Sequence, residues 1–282
     1  DHLEVEAVGE RHHRADDRLV FRVLADADHE GTVDLELLDR QQFQVAERRI
    51  TGAEIIERQA DADLAQAGEQ REGIADRDYS VESMLDQLKN TAPGILHTGS
   101  LALVPPEHEK VLAIVQGAKA LGWTVSVDIN LRPKLAADLN AYVAAVRSVM
   151  VLADWIKASD EDLETLGFEG VKLAESARLV DELRTSATPG ALSRIALTFG
   201  GDGAYLDIDG HHHSLPVPHI TVADTVGAGD TFWGNTLADW ALQTEGVSQR
   251  VAATLELSMK AAAINCTRQG CQPPTWSEVQ GF

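Results

Sequence analysis

Asp224-Thr225-Val226-Gly227-Ala228-Gly229-Asp230-Thr231 is the stretch on which the rest of the chain is read. Two glycines and an alanine stand directly before an acid, and the apolar helical pattern of Phe232 to Leu242 follows. Glycine adopts dihedrals that other residues resist and lets a backbone approach a ligand closely. The first amides of a helix have no intrahelical partners, and the macrodipole adds partial positive charge at that end. A cluster of such amides forms a site for a phosphate or another developing anion. Asp230 then places a carboxylate beside the anion site, where it can take a proton from a hydroxyl. Anion cradle plus base predicts phosphoryl transfer to an alcohol. The stretch is not a Walker-type loop, because the closing Lys-Ser/Thr is absent. The competing structural reading is a glycine-rich turn that simply enters a buried helix.

Outward from this stretch, residues from Tyr79 onward read as alternating helices and strands. Val111, Leu112, Val115, Ala118 and Leu121 recur at helical spacing, and Gly122 stops the run. Helical patterns also cover residues 142–152, 162–166, 173–183, 232–242 and 251–263. Strand-like runs cover residues 124–128, 155–158, 194–199, 204–208 and 213–217, with Asp209-Gly210 as a favoured hairpin turn between the last two. Such alternation implies an α/β fold with a mostly parallel sheet covered on both faces, binding ligands at the carboxyl ends of its strands.

Several candidates fall at those ends. Asp128, Asn130 and Arg132 follow one strand; in an extended chain they face one way, where a guanidinium can hold phosphate oxygens. The alternative there is a structural Asp–Arg pair. Thr198, Gly200 and Gly203 close another strand and leave room for a nucleotide, or form an ordinary turn. Lys157 to Asp162 supplies three acids after a strand. They suit Mg²⁺ through water, and Ser159 or Asp160 suits a helix cap as well. The tract His211-His212-His213 lies past the hairpin turn, where neighbouring side chains face opposite ways, and reads as no metal site. Trp233 and Trp240 read as packing residues.

Composition narrows the classes. The chain has 282 residues, is 44% hydrophobic and carries a formal charge of −21. That charge argues against nucleic acid and anionic membrane as partners. No run of apolar residues reaches the ~20 of a membrane span, and no basic-then-apolar leader opens the sequence. The two cysteines, Cys266 and Cys271, are too few for a disulfide framework. A cytoplasmic location with free thiols is the expectation. The first 78 residues differ from the rest: the first lysine is Lys89, the first asparagine Asn90 and the first proline Pro93. They read as an acidic segment, disordered or partly helical, in which residues 19–24 and 53–66 are pieces that suit a strand or a helix.

The motif at 224–230 resembles the C-terminal signature of the ribokinase-like (PfkB) carbohydrate kinases. Its company strengthens the likeness: His97 to Leu101, Asp128 to Pro133, Lys157 to Leu163, Leu197 to Gly203 and Ala261 to Thr267 occur in the family's order. The resemblance runs from about Tyr79 to Phe282. Within the family it is most similar to fructokinases, then to 2-keto-3-deoxygluconate kinases. It implies a three-layer α/β/α fold, with the family's first strands and β-lid absent or altered here. It implies a core at 79–282 that binds ATP and Mg²⁺ and phosphorylates a sugar's primary hydroxyl. Asp230 is then the base, and Gly227, Ala228 and Gly229 form the anion hole. Asn130 and Arg132, near Asp128, hold the transferred phosphate. Lys157, Thr198, Gly200, Gly203, Thr225 and Asn265 line the nucleotide, Asn265 near adenine, and Asp162 acts on Mg²⁺ through water. Ser159 stands where many members have Asn. A monovalent cation near the anion hole and a homodimer paired through a lid accord with the family. A noncatalytic nucleotide-binding remnant is the rival reading. Without its first strands the sheet is expected to carry an open edge. For residues 1–78 one reading is antisense. Read backward from Gln70 to Ala65, the complementary strand can encode Leu-Leu-Ala-Arg-Leu-Gly, similar to the family's early region. Resequencing the gene tests this, and a confirmed forward frame ends it.

Overall fold

The structure is a computed structural model that describes residues 7–8, 18–19, 21–23, 79–242 and 246–282. The strand or helix expected over 53–66 lies outside the described residues. The chain forms two compact units; among the described residues the first ends at Asp154 and the second begins at Trp155.

In the first unit, β1 (Ala7–Val8) pairs antiparallel with β2 (Arg18–Leu19). Strands β3 (Phe21–Val23), β4 (Ile95–Gly99) and β5 (Thr124–Asp128) lie side by side in that order, all parallel. The edge of β4 expected to be open therefore carries β3, with Phe21 opposite Ile95 and Val23 opposite His97. Among the described residues the unit also has helices α1 (Val81–Lys89), α2 (His108–Ala120) and α3 (Leu139–Met150). Ser80 caps α1, its hydroxyl accepting from the Ser83 amide at 3.0 Å. Val111, Ile114, Val115 and Ala118 form the buried stripe of α2, which packs on β4 and β5. Asp138 caps α3 by accepting from the amides of Asn140 and Ala141. Gly99 is required by close approach: a side chain there would run into the Asp128 carbonyl of the neighbouring strand.

In the second unit, β6 (Trp155–Ser159) runs parallel to β7 (Arg194–Thr198). β7 pairs antiparallel with β8 (Ala204–Ile208), and β8 with β9 (His211–Leu215). The turn between β8 and β9 is the predicted one, with φ of 53° at Asp209 and 86° at Gly210. Helix α4 (Asp160–Thr165) follows β6, and α5 (Ser176–Ser186) precedes β7. Helices α6 (Ala228–Leu242) and α7 (Val251–Cys266) pack on each other, and α7 also covers β8 and β9. A short α8 (Trp276–Gly281) closes the chain. Trp233 and Trp240 are buried and meet edge to face at 5.4 Å, as packing residues. The Arg194 guanidinium lies over the Trp155 and Trp240 rings, and burial pushes its pKa down.

Candidate active site

The loop 223–227 ends on α6, which starts at Ala228 as the sequence predicts. Gly227 has φ 75°, a left-handed conformation that glycine adopts without steric cost. A side chain there would also collide with the Cys271 thiol. The first turn of α6 is wired unusually. The Ala228 amide donates to the Thr225 carbonyl at 3.1 Å, and the Thr231 amide to the Gly227 carbonyl at 2.8 Å. The Val226 carbonyl is captured by Asn265 Nδ2 at 2.8 Å. No described hydrogen bond uses the amides of Gly229 or Asp230. Of the three amides expected to form an anion hole, Ala228 spends its own within the turn, while those of Gly227 and Gly229 make no described hydrogen bond.

Asp230 is exposed, and its carboxylate makes no hydrogen bond or ion pair among the described residues. The opposite face of α6 is core, with Phe232, Trp233, Thr236 and Trp240 buried. The helix is thus anchored from behind while its first turn faces outward. Lys157, inside β6 and only 4% exposed, sends its ammonium to the same turn. A methyl grafted onto Gly229 would lie 3.0 Å from Lys157 Nζ. A buried cation beside a helix N-terminus concentrates positive charge where an anion would sit.

The loop itself is strapped to residues 265–272. The amides of Ala223 and Asp224 donate to the Cys266 carbonyl at 2.8 and 3.3 Å. Asp224 Oδ1 accepts from the Val226 amide and Oδ2 from the Gly270 amide. Gln269 Nε2 donates to the Ala223 carbonyl at 3.0 Å. Neither Cys266 nor Cys271 forms a disulfide among the described residues, and burial, then the Asp224 charge, pushes the Cys266 thiol up.

Other predicted residues land elsewhere. Asn265 is fully buried; besides Val226, its Oδ1 accepts from the Gln272 amide at 2.8 Å. Both ends of its side-chain amide are engaged by backbone. Gly203 is buried too, and a side chain there would strike the Leu215 carbonyl, so close strand packing rather than a nucleotide requires it. Gly200 (φ 48°) is exposed on the turn after β7, with Thr198 half-buried at the strand end and Thr225 exposed. Asp162 is 3% exposed and closes a capping box: Ser159 Oγ accepts from its amide, while its Oδ2 accepts from the Ser159 amide and hydroxyl, each at 2.8 Å. The cap reading of Ser159 thus holds. In the first unit, Asp128 ends β5 and is 5% exposed. Asn130 has φ 36°, so the extended run assumed for 128–132 breaks, and the common facing of Asp128, Asn130 and Arg132 with it. Asparagine is among the few residues that tolerate this region. The Arg132 amide donates to the Tyr142 hydroxyl at 3.3 Å. Among the described residues no three His, Cys, Asp or Glu side chains converge as a metal site, the His211–His213 tract included.

The family model for pfkB carbohydrate kinases matches residues 34–278. The chain belongs to the pfkB family of carbohydrate kinases. The family match begins upstream of Tyr79, where the motifs alone first show the likeness. This pfkB chain is 28% identical over 165 residues to the fructokinase of Rhizobium leguminosarum bv. trifolii, covering 58% of the chain and 48% of that protein. It is 30% identical over 193 residues to fructokinase-2 of Solanum lycopersicum, covering 66% and 56%. The chain thus spans about half the length of these curated relatives. The crystal structure of the fructokinase from Vibrio cholerae O395, in its fructose, ADP and calcium ion bound form, superposes with a TM-score of 0.62 at 22% identity. That likeness covers 74% of the chain and 66% of the other, and identifies the ribokinase-like fold.

Proposed function

We propose that this pfkB chain transfers the γ-phosphoryl group of ATP to a sugar's primary hydroxyl, with fructose the first substrate to test. The single observation that carries the reading is the first turn of α6: unengaged amides at Gly229 and Asp230, the Lys157 ammonium beside Gly229, and an exposed Asp230 carboxylate. In this reading Asp230 accepts the hydroxyl proton as the sugar oxygen bonds to the γ-phosphorus. The bond from phosphorus to the bridging oxygen breaks, and ADP leaves. The two amides and Lys157 bind the oxygens of the group in flight, donors held in place before charge develops. Asn130 and Arg132 are the candidate phosphate ligands of the first unit, with Asp128 at their base. Thr198, Gly200 and Thr225 are candidates for the nucleotide side. A divalent cation fits only through the nucleotide, because magnesium is commonly held by one or two carboxylates, substrate phosphates and water. Asp162, its Oδ2 fixed by Ser159, would meet that cation through water. The cation would neutralise phosphate charge. Residues 79–282 carry the site residues of this core, and the family match from residue 34 and the pairing of β3 with β4 join part of residues 1–78 to it. The relatives' names favour fructose over 2-keto-3-deoxygluconate. Among the described residues no helix is long and apolar enough to cross a membrane, which accords with a cytoplasmic kinase; a homodimer and a monovalent cation complete the proposal.

The partial coverage of the relatives supports a second reading, a nucleotide-binding remnant without turnover. A coupled assay with fructose and Mg-ATP, run beside a thermal shift with Mg-ATP, separates the two. Turnover that Asp230→Ala abolishes is the expected result. A Mg-ATP shift without turnover selects the remnant, and turnover that survives Asp230→Ala removes the assigned base.

A further inference from the structure

We propose that Asn265 is a positioning residue that opens the anion hole by holding the Val226 carbonyl away from the Asp230 amide; this rests on the phosphoryl-transfer reading above. In a regular helix start, the amide of residue i bonds the carbonyl of residue i−4. The Asp230 amide would then seek Val226, and the Gly229 amide Thr225. Each carbonyl instead accepts from another donor, Thr225 from the Ala228 amide at 3.1 Å and Val226 from Asn265 Nδ2 at 2.8 Å. The Thr231 amide resumes the i−4 pattern on Gly227 at 2.8 Å. So the helix ladder skips the two amides proposed to bind the phosphoryl group.

Asn265 suits this task because it is fixed from behind. It is fully buried in the last turn of α7, and its Oδ1 accepts from the Gln272 amide at 2.8 Å. One side chain thus ties the loop before α6 to the segment after α7. The Val226 carbonyl is part-buried, and an unpaired polar group held from water is costly, so it turns to the nearest unengaged donor. Removing the Asn265 donor therefore delivers the Val226 carbonyl to the Asp230 amide and closes the hole.

The test uses Asn265→Asp, which keeps an acceptor for Gln272 and removes the amide donor. Two quantities are read on the full chain: amide hydrogen exchange at Asp230, and kcat and KM with fructose and Mg-ATP. Exchange at Asp230 is expected to slow at least about tenfold, as a solvent-facing amide becomes a bonded one. kcat falls about 100-fold, the usual effect of losing one such donor, with KM for both substrates nearly unchanged. Gln269→Ala cuts another tie to the same loop, at Ala223, and leaves kcat within about twofold. If Asn265→Asp does not fold, Asn265→Ala is read by the same two quantities. A folded variant whose Asp230 exchange is unchanged overturns the proposal, as does a rate loss explained entirely by a smaller folded fraction. If the parent chain shows no turnover, the exchange result still decides the role of Asn265, and it is the kinase reading that fails.

Discussion

Three helices of the second unit carry an acid as their third residue, and they treat it in opposite ways. In α4, Ser159 precedes the helix and Asp162 closes a capping box with it. In α8, Thr275 and Glu278 form the same box: the Thr275 amide and hydroxyl donate to Glu278 Oε2 at 2.7 and 2.9 Å. Both acids are spent on local structure. In α6, a glycine precedes the helix. Gly227 has no hydroxyl to offer, Asp230 stands exposed, and the amides of Gly229 and Asp230 have no carbonyl. Helices α5 and α7 also start without a side-chain cap, after Glu175 and Arg250, so what sets α6 apart is its exposed acid beside unengaged amides.

The comparison is sharpened first at Gly229. Gly229→Ala puts a methyl 3.0 Å from Lys157 Nζ and crowds the space proposed for the phosphoryl group. The expected loss in kcat is about 100-fold. Melting temperature should not fall, since alanine favours a helix over glycine by about 1 kcal/mol. Unchanged kcat would remove this turn from the site. Next comes Ser159→Ala at the capped helix, which removes the cap and releases one hold on the Asp162 carboxylate. Denaturant titration should show a loss of about 1 kcal/mol, the usual value of such a cap. No loss at all would mean the box contributes nothing.

The smallest effect is at Glu278. Its carboxyl is held below the ordinary value, first by the Thr275 amide, then against desolvation by the Thr275 hydroxyl and Arg268. A depressed carboxyl stabilises the fold above its ordinary value of 4.5. That contribution fades as pH falls through the lowered folded value. The melting-temperature gap between the parent and Glu278→Gln should be small at neutral pH and close as acid protonates the parent. A gap that widens in acid would refute the sign.

Much of the second unit was legible from the sequence, because its signals are local. The strands at 155–159, 194–198 and 204–208 and the hairpin at Asp209-Gly210 follow from apolar runs and turn chemistry. The start of α6 follows from two glycines before an apolar period. Elements that escaped are β4, whose His97 and Thr98 interrupt its apolar run, and the short α1 and α8, which depend on caps more than on periodicity. At Asn130 a single left-handed residue defeated an argument built on alternation. Asn265 and Gly203 were read as ligand contacts because their partners lie far along the chain. Val226 is 39 positions from Asn265, and the Leu215 carbonyl reaches Gly203 across β8 and β9. Residue type and order show that a position matters; only packing shows what it touches.

The central claim is that the first turn of α6, with its exposed Asp230 and its unengaged amides, performs the proton and phosphoryl transfer. The most direct measurement is kcat with fructose and Mg-ATP, and melting temperature, for Asp230→Ala beside the parent. A fall in kcat of about 1,000-fold or more with an unchanged melting temperature is predicted, as for the loss of a general base. Retained turnover, or a melting temperature that falls in step with activity, would contradict it.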